Sequence, residues 1–168
     1  MLILITGSSL TGKTKLSQDL LERYKIPYFS IDHLKMGLIR SKCTDLSVYD
    51  DNELTRYMWP IIREMIKTVI ENKQNLTIEG AYIPKDWYMD FDKYYLDKIK
   101  LYCLVMTKSY IENNYDSIIA KKDIIEKRQG DFPSKEELIQ DNQKFYEDFR
   151  GQNIVLIDKN YPSNCLLY

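Results

Sequence analysis

The segment Gly7 to Thr14, GSSLTGKT, constrains this chain more than any other. Before it, residues 2–6 (LILIT) are a short apolar run rich in Ile and ended by glycine, the pattern of a strand buried on both faces of a parallel sheet. After it, Leu16, Leu20 and Leu21 recur at helical spacing with Lys, Gln, Asp and Glu between them, which predicts a helix to about Tyr24, before Pro27. Strand, glycine loop and helix in that order set backbone NH groups around a concavity at a helix N-terminus, a geometry that suits polyphosphate. Lys13 is then placed to reach the β- and γ-phosphates and the Thr14 hydroxyl to ligate Mg²⁺. Gly7, Ser8, Ser9, Leu10, Thr11, Gly12, Lys13 and Thr14 together form the predicted loop for a nucleoside triphosphate.

The same alternation continues down the chain. Residues 27–32 (PYFSID) read as a second strand, 33–40 as a helical stretch, and 51–72 as a longer helix with Leu54, Met58, Ile61, Ile62, Met65 and Val69 on one face. Pro60 lies inside that helix and removes a backbone donor, so a kink is expected there. Further strands are predicted at 75–80 (NLTIEG), 99–106 (IKLYCLVM) and 153–158 (NIVLID). Between the last two, Ser109 with Glu112 and Ser134 with Glu137 have capping-box spacing, which predicts two helices separated by residues 129–134. Strands alternating with helices imply an α/β fold: a parallel sheet of five strands with helices on both faces, in one domain spanning residues 1–168.

Composition narrows the partners. Lys and Arg total 24 against 25 Asp and Glu, intermixed rather than gathered in a basic stripe, so nucleic acid is not an expected partner. Cys43, Cys103 and Cys165 are far apart and contain no CxxC pair, which indicates neither a disulfide framework nor a zinc site and fits a reducing cytoplasm. The N-terminal apolar run has no charged region before it and breaks at Thr6-Gly7, so a signal peptide or membrane span is not expected. The expectation is a soluble cytoplasmic protein, monomer or homodimer.

A switch GTPase carries DxxG after a strand and NKxD for guanine; this chain has EGAY after its third strand and NKQN (72–75) before it. The pattern instead resembles the P-loop kinases of the nucleoside monophosphate kinase-like group, which includes adenylate, shikimate and gluconate kinases, chloramphenicol phosphotransferase and zeta-toxin-type kinases. Three stretches carry the resemblance, which covers essentially the whole chain: GSSLTGKT, the acid in SIDHLKMGLIR, and TIEGAYIP, similar to the DGFPR segment of adenylate kinases. It implies a three-layer P-loop NTPase fold with sheet order 2-3-1-4-5, an acceptor-binding helical region at about 33–72, and a lid between the fourth strand and the last helix, at about 119–133. ATP and Mg²⁺ are the implied cofactors, and a small-molecule acceptor the implied second partner.

Residue by residue, Asp32 ends the predicted second strand on the side where open parallel sheets bind ligands. There it would orient an acceptor hydroxyl and take its proton, as acids of the group do, or cap the helix that follows. Glu79 precedes Gly80 at a strand end, where an acid of the group holds magnesium through water and adjoins the substrates. Among the arginines, Arg40 is similar in position to the acceptor-site arginine of adenylate kinases and Arg128 to the lid-flanking one, with Arg150 a second lid candidate. Both Arg40 and Arg128 compete with a role as solvated helix charge. Tyr82, Trp59 and Trp87 are either acceptor-pocket walls or core. His33, the one histidine, reads as structural.

The chain departs from adenylate kinases at Ile83-Pro84-Lys85, where they place an arginine after proline, and in lacking a paired lid arginine. These departures, with Asp32, favour a hydroxyl acceptor. The leading expectation is thus an ATP-dependent phosphotransferase with Lys13, Asp32 and Arg128 catalytic, and with Asp32, Arg40, Glu79 and Tyr82 on the substrates. The alternatives are a nucleoside monophosphate kinase with Arg40 and Lys85 on the acceptor phosphate, a polynucleotide 5′-hydroxyl kinase, and a nucleotide-binding module without turnover.

Overall fold

The computed structural model describes residues 1–120, 133–159 and 161. The strands are β1 (Leu2–Gly7), β2 (Tyr28–Ser30), β3 (Leu76–Glu79), β4 (Ile99–Met106) and β5 (Ile154–Ile157). The helices are α1 (Lys13–Tyr24), α2 (Ile31–Arg40), α3 (Asp51–Glu71), α4 (Lys93–Leu96), α5 (Lys108–Ala120) and α6 (Lys135–Asp148), with a 3₁₀ turn at Trp87–Asp90. The strands form one sheet in the order β2-β3-β1-β4-β5, and every pairing is parallel. This is the expected three-layer architecture and strand order.

The alternation of side chains along β1 builds two cores. Leu2 and Leu4 face a cluster that includes Leu54, Met58, Ile62 and Ile66 of α3, while Ile3 and Ile5 face Leu16 and Leu20 of α1, Ile111 and Ile118 of α5 and Leu138 of α6. Each such fully buried side chain contributes about 1.5–3 kcal/mol relative to exposure, which holds the central strand under both helical layers.

The α3 stripe differs from the expected one. Its buried residues are Leu54, Met58, Trp59, Ile62, Ile66 and Ile70, whereas Ile61 is exposed. A 21-residue helix presents one apolar line to the sheet, and Ile61 lies off that line; the helix runs continuously through Pro60. The first helix after β4 also differs: it begins at Lys108, and Thr107 caps it by accepting the Tyr110 amide at 3.2 Å. Ser109 is therefore inside the helix, and its hydroxyl donates to Asp158. The second box is as expected, with Ser134 accepting the Glu137 amide and Glu137 accepting the Ser134 amide. Buried Asn142 ties α6 to the sheet by accepting the Met106 amide at 2.8 Å.

Strand β2 is shorter than expected and moves Asp32. Its ladder with β3 runs from Tyr28 opposite Thr77 to Ser30 opposite Glu79 and stops where β3 stops. Asp32 accordingly sits in the first turn of α2, two residues past the strand, and Ser30 is the N-cap residue. The expected lid and Arg128 fall largely on residues 121–132, outside the described residues. Among the described residues no helix is long and apolar enough to cross a membrane.

Candidate active site

The parallel sheet brings the carboxyl ends of β1, β2 and β3 to one edge, and strand order reverses beside β1, so ligands are expected in the crevice there. The glycine loop leaves this edge from β1. Gly7 (φ +140°) passes so close to β4 that a Cβ on it would stand 2.3 Å from the Leu104 carbonyl oxygen. Gly12 (φ +81°) is the N-cap of α1 in the left-handed region, which turns the free amides of the helix toward the loop.

Lys13 is folded over the loop it follows. It is 6% exposed, and its Nζ donates to the carbonyls of Gly7 at 3.0 Å and Ser8 at 2.8 Å. The Ser8 carbonyl also accepts from the Thr11 hydroxyl at 2.8 Å. The loop thus engages its own carbonyls just ahead of a helix N-terminus, where backbone amides favour polyphosphate.

Thr14 and Glu79, 65 residues apart in sequence, meet: the Thr14 hydroxyl donates to Glu79 Oε1 at 3.2 Å. Glu79 is 1% exposed at the end of β3. A hydroxyl and a buried carboxylate side by side, both oxygen donors, fit Mg²⁺, which takes few protein ligands and keeps water and phosphate for the rest of its octahedron. Among the described residues no group of three or more His, Cys, Asp or Glu side chains gathers as a metal site.

Past the carboxyl ends of β2 and β3, residues of α2, α3 and the chain after β3 contribute a second constellation. Lys35 Nζ pairs with Asp32 Oδ1 at 3.0 Å and donates to the Tyr82 hydroxyl at 2.8 Å, and that hydroxyl donates to Asp51 Oδ1 at 2.9 Å. Burial would lower the Lys35 pKa, but the Asp32 carboxylate and the bonds to Tyr82 and Asp32 outweigh it and leave it raised. Burial pushes Tyr82 up to about 12, so it stays a phenol and can donate to Asp51. Asp32 and Tyr82 are therefore in one network.

The other expected site residues lie apart from it. Arg40 is exposed in the last turn of α2. Lys85 pairs with Asp148 of α6 at 3.3 Å, away from an acceptor. Both tryptophans are core: the Trp59 indole donates to Asp90 at 2.7 Å and the Trp87 indole to Gln152 at 2.9 Å. Arg150 and His33 are exposed.

Three residues near the site escaped sequence reasoning. Lys35 and Asp51 carried no motif, although Lys35 stands three residues after Asp32 on a helix, a spacing that pairs charges. Tyr161 carried no signal either. Its hydroxyl donates to the Gly12 carbonyl, and its ring lies 2.6 Å from where a Cβ on Gly12 would stand. Tyr161 thus stands against the phosphate loop at Gly12.

No family model and no curated protein matches the chain. Solved structures do. A shikimate kinase from Bacteroides thetaiotaomicron is 16% identical with a TM-score of 0.55, covering 94% of this chain and 86% of that one. A sugar kinase from Janibacter sp. HTCC2649 in an unliganded structure is 13% identical with a TM-score of 0.54, covering 96% and 87%. A shikimate kinase from Aquifex aeolicus is 17% identical with a TM-score of 0.50, covering 97% and 89%. Together with the sheet order and the glycine loop, these likenesses give the chain the P-loop fold that the shikimate and sugar kinases share.

Proposed function

We propose that this chain is an ATP-dependent phosphotransferase that moves the γ-phosphoryl group of ATP to a hydroxyl of a small molecule. One observation carries the reading: Thr14 and Glu79 meet at 3.2 Å beside the buried Lys13, at the sheet edge from which α2 projects Asp32. A nucleotide-binding module needs the loop; it has no need of a further carboxylate, Asp32, just past the carboxyl end of β2 at the same sheet edge.

In this reading the loop amides and Lys13 hold the β- and γ-phosphates, Lys13 exchanging its carbonyl partners for phosphate oxygens. Mg²⁺, held by Thr14 and through water by Glu79, supplies neutralisation of the phosphate charge when bound. The Asp32 carboxylate orients the acceptor hydroxyl and takes its proton as the oxygen–phosphorus bond forms. The bond from the γ-phosphorus to the bridging oxygen breaks, and ADP leaves with that electron pair. Catalysis rests mainly on positioning and charge, and Arg128 from the expected lid adds a guanidinium as negative charge spreads over the phosphoryl oxygens.

A hydroxyl is favoured over a phosphate acceptor because Lys85 is engaged with Asp148 and Arg40 stands exposed at the far end of α2. The test is ADP release by the purified protein with ATP, Mg²⁺ and a panel of small alcohols, in parallel with nucleoside monophosphates. Acceptor-dependent ADP with alcohols alone supports the reading; ADP formation dependent on a monophosphate contradicts it.

A further inference from the structure

The four-residue network just past the carboxyl ends of β2 and β3 bears on the charge of the acceptor, on the assumption that the kinase reading above holds. Lys35 is its only cation, with a side chain 15% exposed. It is matched on one side by Asp32 at 3.0 Å and on the other by the Tyr82 oxygen at 2.8 Å, and it stands 4.9 Å from the centre of the Tyr82 ring. Tyr82 passes the chain of hydrogen bonds on to a second carboxylate, Asp51, at 2.9 Å. Among these four residues one positive charge meets two negative ones. A third carboxylate, Asp141 of α6, is close enough to feel Asp51: its pKa is raised by desolvation, against the pull of Lys144, with Glu137 and Asp51 adding to the rise.

A carboxylate or phosphate entering this pocket would have to take Lys35 from Asp32, break its bond to Tyr82, or lie beside Asp51 uncompensated. Each costs affinity, because like charges at contact range in a partly buried site repel strongly. A hydroxyl makes no such demand: it donates to Asp32 or Asp51 and accepts from Lys35 or Tyr82. A protonated amine gains from the surplus carboxylate.

We propose that the acceptor is a polyhydroxylated molecule without an anionic group, neutral or bearing a protonated amine. Lys35, Tyr82 and Asp51 are the residues that set this specificity. In that role Lys35 is a positioning residue for Asp32 rather than a receptor for substrate anions.

The experiment uses the whole chain with Mg²⁺ and a non-hydrolysable ATP analogue. Several small alcohol skeletons are each offered as the neutral, amine, carboxylate and phosphate form, and affinities are read by ligand-observed NMR. The neutral and amine forms should bind at least about tenfold more tightly than the acid and phosphate forms of the same skeleton. An amine bound above its neutral partner identifies an amino alcohol, and equality identifies a neutral polyol. Asp51→Asn should cut the advantage of the amine form several-fold while ATP-analogue affinity, read in the same samples, is unchanged. Lys35→Met should leave acid and phosphate forms as weak as before. Acid or phosphate forms that bind best and lose that binding in Lys35→Met would overturn the proposal, as would one flat response across all four forms, total absence of binding included. The kinase reading is judged separately, by nucleotide binding and ADP release, so the two can fail independently.

Discussion

The two sides of the crevice are held by different means. On the proposed nucleotide side, the loop is anchored by the central strand β1 and α1, Lys13 and Glu79 are 6% and 1% exposed, and Lys13 donates to the backbone carbonyls of Gly7 and Ser8. On the proposed acceptor side, Asp32, Lys35, Tyr82 and Asp51 come from two helices and a loop and are joined to one another through their side chains, with the Asp32 side chain 36% exposed. The first side is fixed by the sheet and changes little without breaking the fold. The second can be re-lettered on the same backbone, which is how one architecture serves acceptors of different chemistry.

The comparison is broken most directly at Lys13. Lys13→Ala should lower phosphoryl transfer on the order of 10³–10⁵-fold, the scale of one well-placed cation on the transferring group, with little loss of melting temperature. Transfer at the native rate would remove the loop from the mechanism. Next in size is Asp32→Asn, which should reduce kcat on an alcohol acceptor by roughly 10²–10⁴-fold with ATP affinity little changed. A loss confined to KM would make Asp32 a binding group only.

These expectations rest on unequal legibility. The loop and the alternation of strands and helices were readable because each follows from local pattern, an apolar run and glycines at turning points; the sheet order came from the resemblance to P-loop kinases, as did the magnesium role that puts Glu79 beside Thr14. Asp32 was found but placed at a strand end, since nothing in PYFSID says that β2 stops where its only neighbour β3 stops. Lys35 and Asp51 stayed hidden because their pairing depends on how α2 and α3 approach Tyr82, a tertiary fact. The tryptophans were ambiguous until Asp90 and Gln152 were seen to satisfy their indole NH groups.

Smaller effects sharpen the contrast. Tyr161→Phe removes one hydrogen bond to the Gly12 carbonyl, so the KM for ATP should rise by up to about tenfold with acceptor KM unchanged. A larger fall in kcat than rise in KM would assign Tyr161 to the chemistry itself.

The smallest effect is alkaline. Burial lifts Tyr82 from 10.0 to about 12 against the lowering effect of Lys35, with Asp51 adding to the rise, and Lys35 is itself raised from 10.5. The folded chain therefore keeps protons that the unfolded chain releases above about pH 10, so the contribution of the network is complete below that pH and is lost as pH rises toward 12. Chemical denaturation followed across this window should show a shallower decline for Tyr82→Phe than for the native chain. Parallel declines would mean that Tyr82 does not titrate with folding.

Phosphorus NMR of the protein with ATP, Mg²⁺ and a pool of neutral and amine-bearing polyols tests the central claim most directly, because it identifies the product bond. A new phosphate monoester resonance, growing as ADP grows and absent with Lys13→Ala, is the predicted result. Growth of inorganic phosphate alone, or a new anhydride signal that appears only with a nucleoside monophosphate, would contradict it.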